Sequence, residues 1–193
     1  MDMRKIEPAM TTYLLKRLEG NGLAQEAIHA RDARTVFRLA AQACVGIREV
    51  GGNNRGPMVT LMQETIGGPD PWPWCMSFVQ TCLAFAEAVT GKYSPIYPHE
   101  HVVTVWSKTP KVQRVKVHPL AGAIAVWRHG KTLSGHTGIV ESCDETIFDA
   151  YEGNTTYTAP GDPVVRDGGG VARTVRSRKG DGTMVLVGFL KPF

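Results

Sequence analysis

Apolar residues recur at helical spacing through the first half of the chain and alternate with polar ones through the second. This pattern predicts helices first and an antiparallel sheet after them. Residues 11–19 carry the first helical stripe, which stops at Gly20-Asn21-Gly22. A second begins near Leu23. After a break at Arg31-Asp32, with Asp32 as the cap, it continues with Val36, Leu39, Ala40, Ala43, Cys44 and Ile47 on one face. Residues 51–57 close it as a loop, and residues 59–65 form a short helix. From Cys75 the positions Phe78, Val79, Cys82, Leu83, Ala86 and Val89 fall on a further helix that Gly91 ends. Residues 102–106 fit a helix and a short strand equally. Strands are predicted at 112–117, 123–128, 136–142, 146–151 and 183–191, and a β-ribbon at 163–178 bent at Gly168-Gly169-Gly170. The order of elements is that of an α+β fold.

The helix that starts at Cys75 follows a loop of Pro71, Trp72, Pro73 and Trp74, so a thiol stands in a first helical turn. There the unpaired N–H groups and the positive end of the helix dipole favour negative charge on sulfur, and a thiolate is the form that attacks carbonyl carbon. A histidine, His136, opens one downstream strand, and the next strand runs into Glu152-Gly153-Asn154. If Cys143-Asp144-Glu145 form a three-residue loop, Ser142 faces Thr146 and His136 lies directly opposite Glu152. An even-numbered loop would set His136 against Tyr151 or Gly153 instead. Thiol, imidazole and carboxylate are the parts of a thiol acyl-transfer site.

Four stretches in this order, residues 73–79 (Pro-Trp-Cys-Met-Ser-Phe-Val), 122–127 (Gly-Ala-Ile-Ala-Val-Trp), 135–140 (Gly-His-Thr-Gly-Ile-Val) and 152–154 (Glu-Gly-Asn), resemble a CHAP domain. The name stands for cysteine, histidine-dependent amidohydrolase/peptidase, a family of the papain-like and NlpC-type superfamily whose members mostly cut amide bonds in bacterial peptidoglycan. The resemblance implies a papain-like α+β fold with Cys75 as nucleophile and His136 as general base. It implies Glu152 as the group that orients the ring, with Asn154 supporting it or taking that role. It covers residues 45–155, which sets a CHAP-like catalytic domain at 45–193 and leaves 1–44 as a helical segment of uncertain role. The function implied is that of an N-acetylmuramoyl-L-alanine amidase or peptide endopeptidase acting on peptidoglycan, as a phage endolysin or an interbacterial toxin with a delivery or immunity partner. An amidase or transacylase on a soluble peptide or polyamine conjugate, and a non-catalytic wall-binding module, are the rival readings. Several CHAP enzymes hold calcium in an Asp-rich loop before the cysteine. Here Asp70 stands alone, and one carboxylate cannot supply the oxygens calcium needs, so no metal and no cofactor are expected.

Composition narrows the picture further. The chain has 193 residues, 42% of them hydrophobic, enough for one ordinary core in a monomer. The net charge of +4 suits an anionic wall but falls short of a nucleic-acid binder's footprint. Residues 1–5 carry charges of both signs with no apolar core behind them, which argues against a Sec signal peptide, and no stretch is long and apolar enough to span a membrane. Synthesis in the cytoplasm and action on the wall after export or lysis follow as expectations. Of four cysteines, Cys44, Cys82 and Cys143 read as structural thiols. Asn54 and Arg55, in the loop before the short helix, and Trp72 and Trp74 are candidate substrate contacts, with one tryptophan expected in the core. His99-Glu100-His101 reads as a surface pair of histidines rather than a metal site. Arg173, Arg176, Arg178 and Lys179 form the densest basic run, read as a solvated turn able to touch teichoic acid or phospholipid headgroups.

Overall fold

The computed structural model describes residues 4–68, 71–117, 119–156, 168–179 and 184–193. Helix α1 (Pro8–Leu18) starts on Pro8, whose missing N–H costs nothing at a first helical position. Asn21 caps α2 (Gly22–His29) by accepting the Ala24 N–H, and Asp32 caps α3 (Ala33–Ala43) by accepting from Thr35. The break expected at Arg31-Asp32 separates these two helices, with Arg31 in the left-handed region at φ 56°. After α4 (Pro57–Glu64) comes α5 (Cys75–Thr90), which ends on Gly91 at φ 68°. Residues 102–106 resolve as helix, within α6 (Val102–Lys108).

Along α5 only Ala88 and Val89 escape burial, because α2, α3 and α4 pack on it from one side and the sheet from the other. A helix apolar all round must occupy such a central place. Leu14, Phe37, Leu39, Phe78, Val79, Leu83, Ile124, Ile139 and Tyr151 belong to one continuous core, so α1–α3 share it with α5 and the sheet. The Arg4 side chain adds a polar tie, donating to Gln80 and Glu87 of α5 and to the Ile96 carbonyl. At the other end of the chain Phe193 meets Phe37 edge-on, centroids 6.3 Å apart.

The sheet comprises β1 (Arg114–Val115), β2 (Ile124–His129), β3 (Gly135–Cys143), β4 (Ile147–Thr155), β5 (Gly170–Ser177) and β6 (Met184–Leu190). Its order is β1-β6-β2-β3-β4-β5, with every neighbouring pair antiparallel. Where a strand was expected at 112–117, a 3-10 turn (Lys111–Gln113) precedes a two-residue strand, so most of that stretch does not pair. The ribbon expected at 163–178 is in part β5, which runs beside β4. Its first arm lies outside the described residues, and Gly170 begins the strand rather than bending it.

The β3–β4 hairpin corrects the sequence reading. Cys143 pairs with Phe148, so the loop holds four residues, not three. Asp144 accounts for this, since its carboxylate accepts the backbone N–H groups of Thr146 and Ile147 and so holds both residues in the turn. A bulge between Val140 and Ser142 then restores the side-chain parity. Beyond it Ile139 faces Tyr151 and Val140 faces Ala150. In that register Gly138 lies opposite Glu152, and His136 is Glu152's diagonal neighbour on the same face.

Phe37→Ala should lower unfolding free energy by about 3–5 kcal/mol, as deletion of a fully buried ring does. Urea denaturation should still show one transition, since α3 and α5 share a core; a separate early transition would mean that α1–α3 unfold independently.

Candidate active site

The loop before α5 is held at both ends. Trp74 is fully buried, and its indole Nε1 donates to Glu49 Oε1 at 2.8 Å; Gln63 Nε2 donates to the Trp72 carbonyl at 2.8 Å. Between these anchors the chain turns into α5 with no side chain capping the helix. The first-turn N–H groups therefore stay open beside Cys75, whose side chain is nearly buried. Glycine at 153 lets β4 lie against this helix, because a Cβ there would stand 2.6 Å from Phe78 Cβ.

The structure brings Cys75, His136 and Glu152 together. The His136 imidazole lies close enough to Cys75 to interact with it, and its Nε2 lies 2.8 Å from Glu152 Oε2. A carboxylate only accepts, so Nε2 carries the proton in that bond. Burial works against charge on this ring, but hydrogen bonds and charges from Cys75 and Glu152 outweigh it and raise its pKa to about 9.

Glu152 is fully buried, and everything around it supplies a donor. Arg176 grips it with both arms of its fork, Nε to Oε1 at 2.7 Å and Nη2 to Oε2 at 2.5 Å. Thr174 Oγ1 donates to Oε1 at 2.6 Å and Thr155 Oγ1 to Oε2 at 3.3 Å. Burial alone would push this acid up, but Arg176 and then His136 bring it down to about 2. Gly138 opens the path to His136, since a Cβ there would lie 2.7 Å from Glu152 Cγ. The Trp127 ring backs the assembly, with His136 at 5.8 Å between centroids and the Arg176 guanidinium carbon 5.7 Å from its centre.

The Arg176 contact overturns the reading of the basic run as a solvated turn. Arg173 pairs with Asp149 and Arg178 donates to the carbonyls of Asp144 and Glu145, so three of its four members are engaged within the sheet. The available signal was the alternation Ala172, Thr174, Arg176 on one face of a strand, but only the pairing with β4 shows which acid that face meets.

Other expected residues lie elsewhere. Asn154 occupies a left-handed bulge residue at φ 51°, and its buried Oδ1 has no hydrogen-bond partner among the described residues; the ring's partner is Glu152. Asn54 and Arg55 do not line the cleft that holds Cys75. Their loop closes on itself through Val50 N–H to Arg55 O and Arg55 N–H to Gly52 O, leaving Asn54 buried and Arg55 exposed. Trp74 belongs to the core, whereas Trp72 is 42% exposed and faces the cleft. Asp70 and His118 fall outside the described residues.

That cleft, about 350 Å³, has Cys75 and Gly135 at its floor and Trp72, Glu100, His101 and Leu133 along its walls. Glu100 and His101, expected as plain surface residues, thus border the thiol. Nothing in their local sequence marked them, because the loop 91–101 is brought to α5 only by the fold.

The comparisons with known proteins accord with this geometry. A family profile described as the CHAP domain matches residues 67–154. That stretch is similar to a CHAP domain. It spans Cys75, His136 and Glu152, together with α6 and the strands β1 to β4, and its helices and antiparallel sheet make an α+β fold consistent with the papain-like fold of CHAP domains. CHAP domains are typically cysteine- and histidine-dependent amidohydrolases or peptidases, and the similarity suggests hydrolysis of amide bonds, in peptidoglycan above all. No curated protein and no solved structure matches the chain significantly.

Two outcomes follow. The Glu152 contribution to stability is complete above the ordinary carboxylate value of 4.5 and is lost as pH falls toward 2. That of His136 is complete below 6.5 and is lost as pH rises through about 9. Calorimetric Tm should therefore decline between pH 7 and 10, and His136→Gln should flatten that decline; equal slopes would contradict the assignment. Arg176→Met strands a buried carboxylate and should cost about 3–5 kcal/mol in urea denaturation.

Proposed function

We propose that the protein is a peptidoglycan hydrolase, an N-acetylmuramoyl-L-alanine amidase or peptide endopeptidase, working through a thioester on Cys75. The observation that carries this reading is the imidazole of His136 set beside a helix-start sulfur and bound to a buried carboxylate, with that sulfur lining an open cleft within the CHAP-like stretch.

In the first half-reaction the thiol proton passes to His136 and sulfur attacks the carbonyl carbon of the amide. Electrons move onto the carbonyl oxygen, where the uncapped N–H groups at the start of α5 stabilise the developing charge. The C–N bond then breaks as imidazolium protonates the departing nitrogen, leaving a thioester and a free amine. In the second half-reaction His136 takes a proton from water, hydroxide adds to the thioester carbon, and the C–S bond breaks to release the carboxylic acid and the thiol. Glu152 keeps Nε2 protonated and the ring in place, and Arg176, Thr174 and Thr155 keep Glu152 in place without touching substrate. Asn154, Asn54 and Arg55 have no part in this scheme.

The working context is a phage endolysin or an interbacterial toxin, made in the cytoplasm and reaching the wall on lysis or through a secretion apparatus. Among the described residues no helix is long and apolar enough to cross a membrane, so the chain's own described helices supply no route across it.

Incubating purified sacculi with the protein should release new amino groups and soluble muropeptides, whose masses identify the bond cut. Cys75→Ala should reduce that release by about a thousandfold or more while leaving Tm within about 2 °C of wild type. Sacculi left intact by the wild type between pH 6 and 9 would refute the proposal.

A further inference from the structure

The cleft beside Cys75 is walled by side chains that the triad does not use. Four rings stand in a row beside it, of which Trp72 and His101 line it. Trp72 meets His101 at 5.3 Å between centroids, His101 meets His99 at 5.2 Å, and His99 stacks on Tyr97 at 6.0 Å. Glu100 lies within this row and lines the cleft with Trp72, His101 and Cys75; no other carboxylate and no Lys or Arg is among the described lining residues.

Among the described residues the Glu100 carboxylate has no donor to answer it. His99 Nδ1 stands 3.3 Å from Oε2, a distance that would suit an ion pair. The same nitrogen, however, accepts the backbone N–H of His101 at 3.0 Å, so it turns a lone pair rather than a proton toward the acid. His101 Nε2 is 3.6 Å from Oε1, beyond hydrogen-bond length. No hydrogen bond reaches this carboxylate among the described residues, and its side chain is only 25% exposed. An anion partly withdrawn from water with no donor is costly to keep, and a cation entering the cleft would relieve that cost. The uncovered Trp72 ring beside it offers a π-face for the same cation and a flat surface for an aliphatic stem, and Leu133 stands exposed at the rim.

We propose that this cleft is a subsite for a primary ammonium on an aliphatic stem, held by Glu100 and laid along Trp72, next to the bond that Cys75 attacks. The inference rests on the hydrolase reading above and narrows it. The preferred substrates are wall peptides whose diamino residue carries a free amino group, and acylation of that amine, as in a cross-link, removes both the charge and two of its three donors. Carboxylate or phosphate groups at the same place are repelled by Glu100.

The test uses a synthetic wall tetrapeptide joined by an amide to a reporter amine, with lysine as its diamino residue, and the same compound acetylated on the lysine side chain. Wild type should turn over the free amine with kcat/KM about tenfold to a hundredfold above the acetylated form. Glu100→Gln should bring that ratio close to one, whereas Glu19→Gln, at an exposed acid just after α1, should leave it as it was. Calorimetric titration of Cys75→Ala with the two peptides reads the same preference without turnover. Equal turnover and equal binding of the two forms by the wild-type cleft would overturn the subsite and leave the hydrolase intact. Selective binding with no turnover of either would keep the subsite and overturn the hydrolase. A ratio that survives Glu100→Gln would remove Glu100 from recognition.

Discussion

A buried carboxylate is the constraint on which the rest of the site depends. Glu152 is withdrawn entirely from water, and an ionised acid in such a place is tolerable only if donors replace the lost hydration. They come from three strands, His136 from β3, Thr155 from β4 itself, and Thr174 and Arg176 from β5. Because the donors are mounted on paired strands, satisfying this one group ties the three strands together at the site. It also holds the imidazole, whose Nε2 is bound to Glu152 while the ring stands beside Cys75. The electrostatics follow from the same arrangement. Arg176 keeps Glu152 ionised, and ionised Glu152, together with Cys75, raises His136 against the effect of its own burial.

The second half of the site is mounted on the opposite kind of scaffold. α5 is buried on nearly every side and brings its first turn to the end of the sheet with little freedom. The loop before it is pinned by Trp74 and Gln63, so Cys75 inherits the rigidity of the core although it lines an open cleft. Reactive groups on the ends of packed elements, with variable walls supplied by loops, separate chemistry from selectivity. Here Cys75, His136 and Glu152 sit on α5, β3 and β4, whereas Trp72, Glu100, His101 and Leu133 come from connecting segments.

The hairpin between β3 and β4 illustrates how far local reasoning carries. From the sequence, a three-residue loop would place His136 and Glu152 on one face. The loop has four residues and a bulge compensates for the extra one, so the conclusion stands on a different register. Asp144 binding the N–H groups of Thr146 and Ile147 sets the turn, and such side-chain capping is poorly visible in a residue count. Gly138 is the residue that makes the true register workable, because the Glu152 side chain passes over it on the way to His136. Similarly, Asn154 stood beside Glu152 in the motif but takes a left-handed bulge conformation, and its side-chain oxygen finds no partner among the described residues.

What the sequence determined by itself was periodic or local. The helices, the cap at Asp32, the glycine stop of α5, most of the strands, and Cys75, His136 and Glu152 as candidate site residues were legible there, because hydrophobic period and helix-end chemistry act over a few residues. The family resemblance rested on the same short stretches. Tertiary structure alone decided what depends on residues far apart in the chain meeting in space. It placed Arg176 against Glu152 rather than in a solvated turn, Glu100 and His101 beside the thiol rather than on a plain surface, and Trp74 in the core with Trp72 in the cleft. A charged side chain is drawn wherever an opposite charge has been stripped of water, and that place is created only when strands and helices pack.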